Sequence, residues 1–349
     1  MEIDSDKTTY RIEVGCPDSL VWQSEIKEFL DYSIYQTLAY QNVRAEMDKQ
    51  TLLHILIKND NDITCLMCIV RIKNIKPIGF KIGYIQWGPL IRKANNVHYS
   101  RELFKCLSDH LLKEYVNVLR VTPNIYKDYI GKQISETLKQ AGFISINNAA
   151  PYRTMLLPLE KEEEDLRNSF HRQWRKLLRK ADKQNIEIRH GTGVDYFKIL
   201  EDLYFSAKKR KGFIGLDSQI FLRTQKLLPE SEKMDVIVAY VDGTPVSAHI
   251  SSNLGEITQG VLAATSTFGL SVASSYLVWW ETLLESKRKG MLMYDLGGFD
   301  PIENPGVYKF KSRMGADEAF HIGCFDAYAN KRSQLLWLGI EKVYQIIKG

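Results

Sequence analysis

The residues of this sequence with the clearest chemical potential lie between positions 294 and 318, in the stretch YDLGGFDPIENPGVYKFKSRMGADE. This stretch joins an acidic, glycine-rich turn to three closely spaced basic side chains, Lys309, Lys311 and Arg313. A cation held in a dry pocket stabilises the negative charge that develops in a transition state more than it stabilises the ground state. The central cation, Lys311, follows Phe310, whose ring can shield such a pocket from water. We therefore predict that Lys311 and Phe310 are catalytic, and a surface lysine in a basic run is the alternative.

The glycines of the same stretch are candidates for ligand contact. Gly297 and Gly298 are adjacent, which suits a backbone that turns sharply or approaches a ligand closely. A tight β-turn without a ligand would use glycine equally well. We assign Gly297, Gly298 and Tyr308, which ends the following loop, to substrate binding.

Composition and charge limit the class of protein. The chain has 349 residues, 44% of them hydrophobic and 26% charged, which predicts an ordered protein of two domains. The N-terminal sequence lacks a signal peptide and no run of 18 apolar residues occurs, so we expect a cytoplasmic protein without an integral membrane segment. The five cysteines are scattered and predict reduced thiols, with no metal site. A net charge of +5 favours an anionic substrate without requiring nucleic acid.

The two halves of the chain repeat one order of predicted elements. In the first half, two β-rich runs flank the turn NDND, and a helix with Leu103, Leu107 and Leu111 on one face then leads to a buried strand. In the second half, strands flank Asp242-Gly243, and a helix closed by Gly290 again precedes a strand. We infer an internal duplication, with domains at residues 1–160 and 161–349.

A basic segment opens the second predicted domain. Residues 161–185, KEEEDLRNSFHRQWRKLLRKADKQN, start acidic and end basic, as the helix dipole favours, and predict one long amphipathic helix. Its apolar stripe contains Leu166, Phe170, Trp174, Leu177 and Ala181. The basic side chains, which include Arg175 and Arg179, are either a solvated face of a core helix or contacts for substrate phosphates or an RNA backbone.

Three segments together resemble one family. The stretch at 294–318, the segment WRKLLRKADKQNIEIR and the early IYQTLAYQNVR look like the Fem-type aminoacyltransferases, which build interpeptide bridges in peptidoglycan precursors. The resemblance extends over nearly the whole chain, and the 294–318 stretch is its most specific part. It implies an α+β fold of two tandem GNAT-like (acyl-CoA N-acyltransferase-like) domains, each a mixed central sheet flanked by helices.

The resemblance also implies substrates and residue roles. It implies no metal and no permanently bound cofactor, with aminoacyl-tRNA as a transient donor and a nucleotide-linked or lipid-linked sugar or peptide as the acceptor. In the family the lysine of the Phe-Lys pair, here Lys311, sits at the reacting carbonyl. Arg44 falls where the family has a basic residue that contacts substrate phosphate, after Tyr35 and Gln36, so these three become candidate substrate-binding residues; for Arg44 a helix-surface charge is the alternative.

Two departures from the family pattern affect the acceptor and the base. Thr122-Pro123 stands where the family has an aspartate before proline, so proton transfer would pass through substrate or water. After Gly212-Phe213 the family's acceptor-binding arginine and tyrosine align with Asp217 and Phe221. The acceptor is therefore open and includes an amino sugar or another peptide amine.

Two other functions remain as alternatives. A coenzyme-A-dependent N-acyltransferase would bind pyrophosphate on a glycine-rich loop, and the corresponding ATSTFGLSVASSYL has a single glycine. A non-catalytic RNA-binding or scaffold protein would use the basic helix but leave the 294–318 stretch unexplained. The sequence favours the tRNA-dependent transferase and leaves the oligomeric state undetermined.

Overall fold

The fold is taken from a computed structural model that describes residues 9–15, 19–93, 96–146, 150–211 and 217–348. The chain divides into two compact units. The first comprises Met1–Tyr152 and Phe320–Gly349, and the second comprises Arg153–Ala319. Each unit contains one seven-stranded mixed sheet with helices packed on it. The predicted α+β architecture of two mixed sheets flanked by helices is confirmed.

The elements of the chain up to residue 152 belong to the first unit. Its strands are β1 (Tyr10–Val14), β2 (Thr51–Asn59), β3 (Thr64–Ile75), β4 (Phe80–Gln86), β5 (Arg92–Lys93), β6 (Asn96–Val97), β7 (Val118–Thr122) and β8 (Ile144–Ile146). Its helices are α1 (Ser19–Ile26), α2 (Leu38–Asp48), α3 (Arg101–Glu114) and α4 (Tyr129–Gln140), with a 3₁₀ turn at Ile34–Gln36.

The rest of the chain supplies the second sheet and then returns to the first unit. The strands that follow are β9 (Arg153–Pro158), β10 (Glu187–Gly191), β11 (Asp235–Val241), β12 (Thr244–Leu254), β13 (Ile257–Thr265), β14 (Met293–Asp295), β15 (Asp317–Phe320) and β16 (Cys324–Tyr328). The helices are α5 (Glu163–Ser169), α6 (Arg172–Asp182), α7 (Val194–Lys211), α8 (Ser218–Leu227), α9 (Thr267–Ser271), α10 (Ser274–Arg288), α11 (Pro305–Ser312) and α12 (Lys331–Lys348), with a 3₁₀ turn at Glu230–Glu232.

Local sequence signals explain many of these boundaries. The hydroxyl of Ser100 accepts a hydrogen bond from the backbone N–H of Leu103 (3.0 Å) and caps α3. The turn between β11 and β12 has positive φ at Asp242 (49°) and Gly243 (73°), as the Asp-Gly pair predicts. Gly290 ends α10 at a φ of 76°. The predicted hairpins and helices at these positions are confirmed.

The two sheets share one strand order. The first runs β1-β2-β3-β4-β7-β16-β8 and the second runs β10-β11-β12-β13-β14-β9-β15. In each, an antiparallel meander of four strands is followed by a parallel pair, β4 with β7 or β13 with β14. The predicted internal duplication is therefore visible as equivalent strand positions.

The sixth strand of each sheet comes from an unexpected part of the chain. β9 follows β8 directly in sequence but lies in the second sheet, and β16 follows the second sheet but pairs with β7 and β8 in the first. The boundary predicted from sequence assigned everything after residue 160 to the second domain, whereas the structure places Phe320–Gly349 in the first unit. Strand pairing between segments far apart in the chain leaves no local sequence signal, which explains the difference.

The predicted long helix at residues 161–185 is wrong, because the segment forms two helices. α5 ends before Phe170, whose backbone is extended (φ −70°, ψ 148°) and whose ring is buried. The next residue, His171, donates its backbone N–H to the carbonyl of Arg313 (2.9 Å), and its side chain caps α6. Tertiary contact with the end of α11 thus interrupts a segment that is helical by pattern. The fully buried leucine of α6 is Leu178, and Leu177 is only half-buried.

None of the helices in the described part of the chain has both the length and the apolar character needed to cross a bilayer.

Asp326 on β16 anchors the returning segment in the first sheet. Its fully buried carboxylate accepts hydrogen bonds from Arg120 Nε (2.7 Å) and Nη2 (2.6 Å) on β7. Trp337 Nε1 on α12 donates to the same carboxylate (3.2 Å). The pair therefore joins the sixth strand, its neighbour and the last helix.

We expect Asp326→Ala to lower the free energy of unfolding by about 3–5 kcal/mol, because it leaves the Arg120 guanidinium without its buried partner. Asp317→Ala, at an exposed position on β15, should change it by less than about 0.5 kcal/mol. Urea unfolding of the two variants measures both values. Equal, small losses would show that Asp326 does not hold β16 in place.

Candidate active site

The site in the second unit is built where two parallel strands separate. β13 and β14 pair from Ile257 with Met293 to Gln259 with Asp295, after which β14 ends and β13 continues along β12. The next residue on β13, Gly260, lies so close to Gly297 that a Cβ atom at Gly297 would be 2.8 Å from the Gly260 carbonyl oxygen. Gly297 also has a φ of 79°, which glycine adopts at little cost. The close approach and the positive φ together require glycine at 297.

Lys311 fills the space beyond this close approach. It lies on α11, a helix that begins with Pro305 and is capped by Asn304. The Lys311 ammonium donates hydrogen bonds to the carbonyls of Gly297 and Gly298, both at 2.8 Å, and the side chain is only 7% exposed. Burial lowers the pKa of Lys311 to about 8, and the Asp295 carboxylate opposes this effect. The ammonium is therefore still mostly protonated at neutral pH.

Asp295 organises the turn that receives Lys311. Its buried carboxylate accepts hydrogen bonds from the backbone N–H of Gly297 (2.7 Å) and from the hydroxyl of Thr154 on β9. Because it holds the glycine turn and supplies an opposite charge, it makes the burial of an ammonium tolerable. The DLGG motif contains this aspartate, but its role required the fold, since Thr154 comes from a strand 141 residues away.

His249 on β12 is a second buried group at the site that the sequence did not reveal. Its ring stacks on Trp279 with centroids 4.2 Å apart, and its Nδ1 lies 3.3 Å from the hydroxyl of Thr282. That hydroxyl donates its proton to the carbonyl of Val278 (2.8 Å), so it can accept a hydrogen bond from Nδ1–H in the tautomer that leaves Nε2 unprotonated. The Nε2 atom lies 3.3 Å from the position of a Cβ at Gly260.

Its surroundings keep His249 neutral. Burial, together with the nearby Lys311 ammonium, lowers the pKa of His249 to about 3. The hydroxyl of Tyr294 also lies 3.4 Å from Nδ1. The site thus combines one protonated amine with one neutral imidazole whose Nε2 atom faces the strand separation. A single histidine within a strand carries no sequence signal for such a role.

The predicted partner of Lys311, Phe310, forms part of an aromatic wall. Its half-buried ring packs against Tyr276, Trp279 and Trp174, with centroid distances of 5.0, 5.6 and 5.9 Å. Tyr308, two residues earlier, contacts Phe299 at 5.3 Å and its hydroxyl bonds to the side chain of Glu318. The structure therefore brings Lys311, Phe310, Gly297 and Gly298 together and places Tyr308 on the same helix.

The basic side chains of α6 divide into two groups. Arg179, like Arg172, Lys176 and Lys183, is exposed, whereas the opposite face buries Trp174 and Leu178. Arg175 is half-buried and donates to the side-chain oxygen of Asn168 (3.3 Å). The predicted amphipathic character of this segment is confirmed, and its exposed cations are available to a polyanion.

The remaining predicted residues lie in the first unit. Arg44 on α2 forms an ion pair with Asp48 (2.7 Å), and Tyr35 stacks on Trp87 at 4.4 Å. Gln36 is fully buried, with its amide bound to the carbonyl of Gln86 and the N–H of Ile69. The structure gives Gln36 a framework role that closes the end of the β4–β7 pair.

The positions that depart from the family pattern have structural roles. Thr122 ends β7 and its hydroxyl donates to the carbonyl of Ile85 (3.3 Å). Asp217 caps α8 through the N–H of Gln219 (3.0 Å), and Phe221 is buried. The alignment anchor Gly212-Phe213 lies outside the described residues.

The segment before α10 corresponds to the stretch on which a coenzyme-A-dependent N-acyltransferase would bind pyrophosphate. It contains the short helix α9, and Ser274, the first residue of α10, donates its hydroxyl to the carbonyl of Gly269 (3.1 Å). A Cβ at Gly269 would lie 2.4 Å from the carbonyl oxygen of Val246, so this glycine serves packing. Among the described residues, no three histidine, cysteine or acidic side chains form a metal-binding group.

Comparison with solved structures defines the class of fold. The crystal structure of FemX superposes with a TM-score of 0.80 at 16% identity, over 97% of this chain and 100% of that one. L-PGS from Bacillus licheniformis gives a TM-score of 0.52 at 10% identity, over 95% of this chain and 97% of that one. The fold is therefore that of FemX, with two mixed sheets flanked by helices as the sequence predicted.

The family follows from sequence. The model of the FemAB family matches residues 23–268 and 270–337, and the chain belongs to this family. A relative named Lipid II:glycine glycyltransferase from Staphylococcus epidermidis is 22% identical over 190 residues, 52% of this chain and 45% of that protein. Its counterpart in Staphylococcus aureus is 22% identical over 197 residues, 53% of this chain and 45% of that protein. The aligned region thus spans a little under half of the length of these curated relatives.

Burial gives Lys311 a signature in protein stability. Its pKa falls from 10.5 to about 8 on folding, so between these values the unfolded chain binds a proton that the folded chain has released. Stability therefore rises with pH in this window. Relative to Lys311→Met, the wild-type protein should gain on the order of 3 kcal/mol as the pH rises from about 8 to about 10.5.

Urea unfolding across this pH range measures the difference, and Lys309→Met provides the control. Lys309 is exposed on the same helix, so its variant should differ from the wild-type protein by a constant amount at every pH. A constant difference for Lys311→Met as well would contradict the burial of a charged ammonium.

Proposed function

We propose that this protein is an aminoacyltransferase that forms an amide bond between an amino acid carried by tRNA and an amine of a cell-wall precursor. The observation that carries the proposal is the buried Lys311 ammonium at the separation of β13 and β14, held by the carbonyls of Gly297 and Gly298. A buried charge costs folding energy, and the hydrogen bonds of this one go only to the glycine turn where β13 and β14 separate.

The reaction joins an amine nitrogen to an ester carbonyl carbon. As the nitrogen–carbon bond forms, the carbonyl oxygen gains negative charge, and the Lys311 ammonium stabilises that charge in a water-poor pocket walled by Phe310. Collapse of the tetrahedral centre breaks the carbon–oxygen ester bond, and the departing ribose oxygen receives a proton. The nitrogen loses a proton in the same sequence.

The neutral His249 ring is suited to contact the amine nitrogen that loses this proton. Its Nε2 lone pair faces the separation of the strands and can accept a hydrogen bond from the amine N–H. With a pKa of about 3 it does not hold the proton as a stable cation, so it orients the amine while the proton passes through water or substrate to the leaving oxygen.

Two features support tRNA as the donor. The exposed cations of α6, among them Arg172, Lys176 and Arg179, form a face suited to a phosphate backbone. The stretch that would bind the pyrophosphate of coenzyme A instead forms α9, and its glycine is used in packing. The second feature makes the coenzyme-A-dependent acyltransferase the weaker alternative.

The acceptor is proposed from the relatives. Proteins of the same family carry the name Lipid II:glycine glycyltransferase, so the acceptor class is an amine on a lipid-linked or nucleotide-linked wall precursor, reached from the cytoplasm. The resemblance supports Arg44 as a contact for a phosphate of that precursor, and Arg175, Tyr35 and Tyr308 are further candidate contacts.

The donor is tested by transfer of labelled amino acids from total aminoacyl-tRNA to lipid II. We expect transfer to disappear after ribonuclease treatment, because the ester carrier is destroyed, and to be unchanged after removal of coenzyme A. The same assay with acetyl-coenzyme A as the sole donor is the control and should give no product. Ribonuclease-resistant acylation from coenzyme A would replace the proposed function by the alternative.

A further inference from the structure

The first unit contains a cleft of about 650 Å³ on the face of its sheet that α2 and α12 cover. Lys73, Tyr84 and Arg120 form part of its floor, from β3, β4 and β7. Asp48 at the end of α2 lines one side, and Trp337 and Glu341 of α12 line the other. The volume is in the range that holds a small organic ligand.

Four polar side chains are neighbours on adjacent strands across this floor. Arg71 on β3 pairs with Tyr84 on β4, Tyr84 pairs with Arg120 on β7, and Arg120 pairs with Asp326 on β16. Residues opposite each other in a sheet share a face, and Arg71 also shares a face with Lys73 two positions on. Arg71 therefore lies on the cleft side of the sheet, buried beside the lining residues Lys73 and Tyr84.

Arg120 and Arg71 differ in how many of their guanidinium nitrogen atoms have hydrogen-bond partners. All three nitrogen atoms of the Arg120 guanidinium bond to carboxylates, two contacts going to Asp326 and one to Glu341 (2.7 Å). Arg71 is more deeply buried, at 6% exposure, yet it makes one side-chain contact, from Nη2 to Gln86 (2.8 Å). Its Nε and Nη1 atoms are buried and have no hydrogen-bond partner among the described residues. Burying a guanidinium in this state is costly.

The nearest charges leave this end of the cleft positive. Arg44 lies close enough to Arg71 to lower its pKa, although burial is the larger cause. The carboxylate of Asp48 is already paired with Arg44 (2.7 Å), and Lys73 donates to the backbone carbonyl of Asp48 (2.6 Å). The Nε atom of Arg44 is also buried without a partner among the described residues. Three positive charges, on Arg44, Arg71 and Lys73, therefore lie near this end of the cleft. In the part of the chain that the structure describes, the one negative charge near them is the Asp48 carboxylate, which leaves an excess of two positive charges.

We infer that this end of the cleft is a phosphate-binding site in which Arg71 is the principal ligand residue. An excess of two positive charges matches a phosphate dianion, and the unused N–H groups supply donors that a phosphate oxygen accepts. The aromatic and apolar floor beyond it, which includes Tyr84 and Trp337, fits the body of a larger phosphate ester.

This inference rests on the proposed function only for the source of the phosphate. If the acceptor is a wall precursor linked through a diphosphate, the cleft extends the contact expected at Arg44 to a second guanidinium. Binding of inorganic diphosphate can be measured without turnover, so the site and the proposed function succeed or fail separately.

Isothermal titration of the full chain with inorganic diphosphate tests the site. We expect saturable binding to the wild-type protein, weakened roughly tenfold or more in Arg71→Met because charge-assisted hydrogen bonds are lost. Arg71→Lys, which keeps the charge, should retain part of the affinity. Arg101→Met, which removes an exposed cation of the same unit, should change the dissociation constant by less than about twofold.

Thermal melts separate a binding role from a structural one. Without ligand, Arg71→Met should melt no lower than the wild-type protein, because an unpaired buried charge is removed; diphosphate should raise the melting temperature of the wild-type protein and not of the variant. Tighter binding of diphosphate than of orthophosphate would indicate a diphosphate ester as the natural ligand, and the reverse would indicate free phosphate. Equal affinity of the wild-type, Arg71→Met and Arg71→Lys proteins for diphosphate would overturn the inference.

Discussion

The burial of the Lys311 ammonium constrains the turn after β14 and the residues that hold this turn in place. The Lys311 side chain on α11 is buried with two backbone carbonyls turned toward its ammonium. This arrangement depends on the positive φ of Gly297 and on the close approach of Gly297 to Gly260. The turn in turn depends on Asp295, which binds the Gly297 N–H and is fixed by Thr154 on β9. The placement of glycine at 297 and the acidic residue at 295 are therefore local requirements for holding a cation where β13 and β14 separate.

The first sheet differs from the second at the point that corresponds to the Lys311 site. At the equivalent point of the first sheet, the parallel pair β4 and β7 continues to Gln86 and Thr122, and the amide of Gln36 closes its end. A Cβ at Gly88 would contact the Gln36 side chain at 3.1 Å, so this closure is tightly packed. The first unit instead places its unsatisfied charge at Arg71, beside the cleft. The two copies have thus kept strand order and diverged in where they hold cationic groups.

The parts of the structure that follow local rules could be predicted from the sequence. Hairpins marked by Asp-Gly and capped amphipathic helices have signals within a few residues, and the glycine turn and Lys311 lie in one short stretch, 14 residues apart. The exchange of β9 and β16, the break at Phe170 and the neutral ring of His249 had none, because each arises from contacts between distant segments. In the sequence Arg71 is an ordinary strand residue, and only the structure shows that it is buried and that its Nε and Nη1 atoms have no hydrogen-bond partner among the described residues.

The central claim is that the Lys311 ammonium stabilises charge formed during transfer, and kcat measured on alanine variants of the three neighbouring cations tests it most directly. Lys311→Ala should lower kcat by on the order of 10²–10³, about 3 kcal/mol, with little change in KM. Lys309→Ala and Arg313→Ala should stay within about tenfold, since neither side chain is buried as Lys311 is. Equal, small losses in all three folded variants, or a Lys311→Ala loss explained by a lowered melting temperature, would contradict the claim.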